Sequence, residues 1–307
     1  MSQASGAPGL RTAIDGFAAA MMIFLTFSWG LNQVAIKLAN VGYNPIFAVL
    51  ARSAVACVLV YLWCRWRGIA LFERDGTLPA GILAGVLFGA EFALIFVGFD
   101  LTTAARGTLM INTMPFWVLL GGHFLLGERI SPQKFWGLAL AFCGVVLVFS
   151  DRLSLPGPDA IWGDVMCLAA GILWAATTLV IKGSRLSTAS AEKTLLYQLL
   201  VSAFFVVPFI PLAGPVLREV TAVATMALLF QAAFIVAFTY VLWFWLMRHY
   251  PASGLSSFAF LTPAFGVLLS GLLLDEPLTM RIFVALALIV AGLLVVNRPA
   301  RRPVPAA

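Results

Sequence analysis

The chain has 307 residues, of which 62% are apolar and 10% charged, and its net charge is +6. Soluble domains carry about 25% charged residues, and apolar runs of roughly 20 residues, long enough to span a hydrocarbon core, replace any stretch that would hold a soluble domain. The basic residues sit in short loops between those runs, a pattern of membrane topology that excludes nucleic acid as the partner and makes the lipid bilayer the surroundings.

The elements read in chain order as follows. Residues 1–13 form a small, polar tail with one basic residue, Arg11. The first apolar run resembles a secretory leader, but it has a counterpart in the second half and is therefore taken as a span. Ten spans are predicted, at 14–39, 45–63, 79–99, 102–126 and 133–149, then 161–182, 194–212, 220–247, 252–274 and 280–296. In lipid each must be helical, because the backbone has no water to bond. The fold class is thus all-α integral membrane, with two five-helix repeats at 14–150 and 161–297 and a C-terminal tail at 298–307. Cys57, Cys64, Cys143 and Cys167 lie in or beside apolar runs, with neither metal-ligand spacing nor a disulfide framework, and are read as packing residues.

The repeat rests on residues. Trp29 is followed seven positions on by Ile36-Lys37, and Trp174 by Ile181-Lys182. Pro115, Glu128, Phe135 and Gly144 match Pro263, Glu276, Phe283 and Gly292 at one offset of 148. A tandem copy of an odd number of spans reverses orientation, so the halves are expected to form an inverted pair. With the N-terminus in the cytoplasm, 13 Lys and Arg fall on the inside and five outside. This predicts a multi-pass protein of the inner, cytoplasmic membrane with both termini cytoplasmic.

Polar groups at mid-membrane depth are costly and are functional candidates. The fully acidic and basic candidates are Glu91 and Arg52, at matching depths in the third and second spans, where an ion pair is expected; Glu91 is also a candidate for proton coupling. Trp29, Asn32 and Gln33 share a face of the first span, and Trp174 and Thr178 repeat the pattern in the sixth. Asn112, Gln231 and Tyr240 complete the candidate substrate-binding set, against the alternative that such groups only join helices. Pro115 and Pro263 are matched interruptions, read as hinge or gate. Lys37 and Lys182 are expected to snorkel at span ends, and Trp243 and Trp245 to belong to an interfacial belt. Gly81, Gly85 and Gly89 predict close helix contact. The fifth and tenth spans, nearly free of polar groups, read as scaffold or dimer surface, for a monomer or homodimer. No H-E-x-x-H, G-x-S-x-G or phosphate-binding Gly-rich loop occurs, so neither an enzyme nor an ATP-driven pump is expected, and no cofactor, metal or catalytic residue is assigned.

The chain resembles the drug/metabolite transporter superfamily, in particular its EamA family. The resemblance is carried by Trp29-Gly30 with Ile36-Lys37, Thr102 to Ala105, Met114-Pro115, Leu126 to Arg129, Trp162 to Asp164, Trp174-Ala175, Pro263-Ala264 and Leu274 to Pro277. It implies ten helices in inverted repeats with alternating access, a cavity formed mainly by spans 1–4 and 6–9, and export of amino acids, aromatic ones included. The small multidrug branch of the superfamily carries a glutamate in its first helix, and this first span has none. The expected function is a secondary exporter of amino acids, aromatic ones among them, or of related small amphipathic metabolites. The alternatives are an importer or exchanger of another metabolite, such as a nucleoside or cofactor precursor, and a non-transporting scaffold.

Overall fold

The computed structural model describes residues 14–150, 157–273 and 280–298. The N-terminal tail 1–13, Glu276 of the repeat and the C-terminal tail past residue 298 lie outside the described residues. The helices are α1 (Gly16–Gly42), α2 (Pro45–Arg67), α3 (Leu78–Leu101), α4 (Ala104–Ile111), α5 (Met114–Leu126), α6 (Pro132–Phe149), α7 (Ala160–Gly183), α8 (Ala191–Val206), α9 (Ala222–Phe230), α10 (Tyr240–His249), α11 (Ala252–Ser257), α12 (Leu261–Leu273) and α13 (Met280–Asn297). Among the described residues, nine helical runs are long and apolar enough to cross a membrane. The predicted ninth span is helical in pieces, as α11, a 3₁₀ turn at Phe258–Phe260 and α12.

Local chemistry sets the ends. The Asp15 carboxylate accepts from the Ala18 N–H at 2.9 Å to start α1. Asn44 accepts from the N–H groups of Ile46 and Phe47 ahead of Pro45, and Ser131, before Pro132, accepts from Lys134. These are side-chain oxygens serving the unbonded amides of a first turn, with proline where no amide is needed. Gly68 and Gly127 end α2 and α5 at φ of 66° and 68°, left-handed values that a Cβ disfavours.

Two spans are not continuous α-helix. The fourth breaks at Asn112-Thr113, where the Asn112 side chain donates to the Thr108 carbonyl at 2.8 Å and Thr113 Oγ1 donates to the Met110 carbonyl at 2.8 Å. Pro115 therefore stands in the first turn of α5, one turn past the break, and cannot donate to the Ile111 carbonyl. That carbonyl instead faces Gly171 of α7, where an added Cβ would come within 2.8 Å of it. Pro263 occupies the corresponding first turn of α12. The eighth span runs as α9, a π-helical stretch at Gln231–Thr239 and α10; such stretches are rare and concentrate at functional sites.

The main helix contacts survive exchange of the two halves. α3 packs on α7 and α8, while α9 and the π-helical stretch pack on α1 and α2. α4 and α5 pack on α7 as α12 packs on α1, and α2 on α8, α5 on α11 and α6 on α13 are self-matching pairs. The glycine expectation holds for α3: Gly81, Gly85 and Gly89 lie against Tyr197, Val201 and Ser202 of α8. On α6 and α13 the small residues serve each other. A Cβ on Gly292 would stand 2.6 Å from the Ala141 nitrogen and 2.6 Å from the Gly137 oxygen, both backbone atoms. Gly292→Ala is therefore expected to part these helices and cost about 1–3 kcal/mol, read as a lower unfolding midpoint in detergent; an unchanged midpoint would contradict the packing.

Candidate functional site

Two adjoining hollows lie between the halves. One is lined by Phe88 and Glu91 of α3, Thr177, Thr178 and Ile181 of α7, Gln198 of α8 and Trp243 and Phe244 of α10. The other, larger one is lined by Asn32, Gln33 and Ile36 of α1, Phe92, Ile95 and Phe99 of α3, Ile111 and Asn112 at the α4 break, and Thr262 of α12. Trp29, Glu91, Trp174 and Tyr240 border both. The partition is aromatic. Trp29 meets Trp174 at 5.7 Å, Tyr240 at 6.1 Å and Trp243 at 5.5 Å between ring centroids, all edge to face, the arrangement ring quadrupoles favour.

The π-helical stretch is tied to this partition. Trp29 Nε1 donates to Thr239 Oγ1 at 3.1 Å, Thr239 donates in turn to the Ile235 carbonyl, and Gln231 Nε2 donates to the Ala35 carbonyl at 3.1 Å. Gln231 thus holds the eighth span against α1 and lines neither hollow. Of the predicted site residues, Trp29, Asn32, Gln33, Glu91, Asn112, Trp174, Thr178 and Tyr240 come together around the hollows. Pro115 and Pro263 line neither hollow, but Asn112, three residues before Pro115, and Thr262, next to Pro263, line the larger one.

Arg52 departs from expectation twice. It lines neither hollow and makes no ion pair with Glu91 within 4 Å; all three guanidinium nitrogens are buried without a hydrogen bond. The guanidinium lies instead over the ring of Phe92 at 3.7 Å and near Phe96 at 5.1 Å, a cation–π contact on desolvated rings. Glu91 and Arg52 still interact through charge. The pair is expected to be coupled by about 1–3 kcal/mol, so Arg52→Met combined with Glu91→Gln should be more stable than the sum of the single losses allows. Thermal unfolding of the four proteins tests this, and simple additivity would contradict it.

Trp243 is a second correction. It is buried at 3% exposure against Trp29 and Trp174, while Trp245, two positions on and so on another helix face, is exposed. The snorkelling expected of Lys37 and Lys182 is replaced by bonding. Lys37 Nζ donates to the Thr102 carbonyl at 2.9 Å, and Lys182 Nζ donates to the Tyr250 carbonyl at 2.7 Å. Thr102 Oγ1 also donates to Asp164 at 2.8 Å, which Arg106 engages through both carboxylate oxygens. Tyr250 Oη also donates to both oxygens of Asp15, at 3.0 Å each.

Two latches result, each joining the end of one helix, the connection before the fourth or ninth span, and the start of another helix. Asp15 and Lys37 stand 22 residues apart on α1, roughly 33 Å at 1.5 Å per residue, so the latches lie at opposite ends of the bundle. They fasten the end of α1 to the start of α7 and the start of α1 to the end of α7; the two helices run antiparallel. Thr102 and Tyr250 are 148 positions apart, the offset of the repeat. Sequence reading missed them because the matched positions hold different residue types; carrying the offset through the loops would have paired them. Gln198 and Thr262, the other unforeseen residues, are polar positions inside apolar runs.

The fold and these residues can be set beside known proteins. A model described as the EamA-like transporter family matches residues 16–150 and 161–298. An uncharacterized transporter of Archaeoglobus fulgidus is 28% identical over 81% of this chain and 86% of its own length. A probable amino-acid metabolite efflux pump of Escherichia coli is 27% identical over 91% of this chain and 93% of its own length. A solved crystal structure, at 20% identity, shares the fold with a TM-score of 0.77 over 93% of this chain and 99% of that one. Matched by one family model in both halves, and along most of its length by proteins named as transporters, this multi-pass membrane chain belongs to the EamA-like transporter family.

Proposed function

We propose that the protein is a secondary exporter of amino acids, aromatic ones among them, or of related small amphipathic metabolites, working by alternating access in the cytoplasmic membrane. The observation that carries this reading is a polar and aromatic cavity with a matched latch at each end. One latch can open while the other stays shut, exposing the hollows to one side at a time. The antiparallel course of α1 and α7 and the helix contacts that survive exchange of halves support an inverted pair at 14–150 and 161–297. The excess of 13 basic residues over five supports cytoplasmic termini. Export of amino-acid metabolites is supported by two relatives, at 27% and 26% identity, that are named probable amino-acid metabolite efflux pumps.

Proteoliposomes holding the purified protein and given a panel of labelled amino acids, with and without a pH gradient, test the reading. Saturable flux of at least one aromatic or bulky apolar amino acid is expected. Absence of flux for the whole panel would overturn it. In this reading Glu91 is the group that couples flux to protons, and Glu91→Gln is expected to abolish any response to the gradient; a response that persists would assign coupling elsewhere.

A further inference from the structure

Four side-chain oxygens in the wall of the larger hollow are left unmatched. Asn32 Oδ1, Glu91 Oε2, Asn112 Oδ1 and Thr262 Oγ1 are buried without a hydrogen-bond partner, and all four residues line this one space. Each is at least nine-tenths buried, at 6%, 3%, 2% and 5% exposure. Leaving a buried polar atom unsatisfied is costly, so four such oxygens in the wall of one space favour a ligand that donates. The Asn112 amide is fixed by its own contacts: Nδ2 donates to the Thr108 carbonyl, which leaves the carbonyl oxygen as the free end. The smaller hollow repeats this with Gln198, whose Nε2 donates to the Thr194 carbonyl and whose Oε1 is unmatched.

The cations nearby are committed elsewhere. Arg52 is covered by the Phe92 ring, and Lys37 and Lys182 are bonded to carbonyls in the latches. Trp29, Trp174 and Tyr240 also line the space, and aromatic rings attract positive charge. Acceptor oxygens, one carboxyl group and aromatic rings together describe the surroundings of an ammonium group, with three donors and no acceptor.

We infer that the hollow bounded by Asn32, Glu91, Asn112 and Thr262 receives the protonated amino group of the transported molecule, and that the aromatic partition and the smaller hollow receive its apolar part. This rests on the cavity being the transport site. The amino group can belong to an amino acid or to an amine without a carboxylate, and three ligands of one scaffold separate these sources: phenylalanine, 2-phenylethylamine and 3-phenylpropionate.

Binding of each to the full-length protein in nanodiscs is measured by tryptophan fluorescence and calorimetry. Both amine-bearing ligands are expected to bind at least tenfold more tightly than 3-phenylpropionate. If 2-phenylethylamine binds as well as phenylalanine, the amine is the whole determinant; if phenylalanine is tighter, its carboxylate finds a further partner. Glu91→Gln and Asn112→Leu are each expected to weaken amine binding about tenfold while leaving 3-phenylpropionate unchanged. Asn112→Asp, which keeps the shape and adds charge, is expected to tighten it. Equal binding of 3-phenylpropionate, or amine binding indifferent to all three substitutions in folded protein, would overturn the amine site and leave export of another amphipathic class standing. Binding of none of the three ligands would overturn both.

Discussion

Trp29→Ala is expected to abolish transport and to lower stability by about 3–5 kcal/mol, the usual cost of truncating a buried aromatic residue. Trp29 is the common wall of both hollows. Its ring contacts Trp174, Tyr240 and Trp243, which come from helices of the second half. Truncation merges the two hollows, frees three neighbouring rings to rotate and removes the N–H that steadies Thr239 at the end of the π-helical stretch. Trp29→Phe separates these effects. A ring remains on the partition, and Thr239 keeps its own bond to the Ile235 carbonyl, so the loss should fall to about 1 kcal/mol, near that of one hydrogen bond, with flux retained in part. Wild-type flux from the alanine variant would show that the partition has no part in transport.

Lys182→Met and Lys37→Met are expected to open opposite ends of the cavity. Each ammonium is bonded to one carbonyl, and a hydrogen bond involving a charged group contributes about 1.5–3 kcal/mol. Losing it should shift the balance between closed and open at that end by roughly tenfold or more. The readout is labelling by a membrane-impermeant thiol reagent in a background without native cysteines. Thr177→Cys reports on the hollow nearest Lys182, and Gln33→Cys on the one nearest Lys37. Lys182→Met should raise labelling at position 177 about tenfold and leave position 33 unchanged, with Lys37→Met doing the reverse. If both reporters respond equally to either substitution, the latches do not act on separate ends.

Much of this was legible in the chain because bilayer physics leaves few choices. Apolar runs without water to satisfy their backbones become helices, and among the described residues the predicted edges lie within a few residues of those seen. Trp29, Asn32, Glu91, Asn112, Trp174 and Tyr240 could be named because a polar or amphipathic side chain at mid-membrane depth needs an internal space. The proline positions marked where the fourth span would be interrupted, since proline removes an amide wherever it stands. The break itself came one turn earlier, at Asn112, whose side chain competes for the backbone carbonyl.

What the sequence by itself determined is the all-helical membrane class of the protein and the side chains able to serve a cavity, because burial in lipid and helical periodicity act locally along the chain. Only the tertiary structure decided the partners. It placed Phe92 between Arg52 and the hollow, turned Trp243 inward and Trp245 outward, and joined Lys37 to Thr102 and Lys182 to Tyr250. Those outcomes depend on which helices face each other and at what depth, a property of contacts between residues far apart in sequence. The π-helical stretch belongs to the same group. Its register is held by Trp29 and Gln231 reaching across to another helix, and no pattern within residues 231–239 announces it.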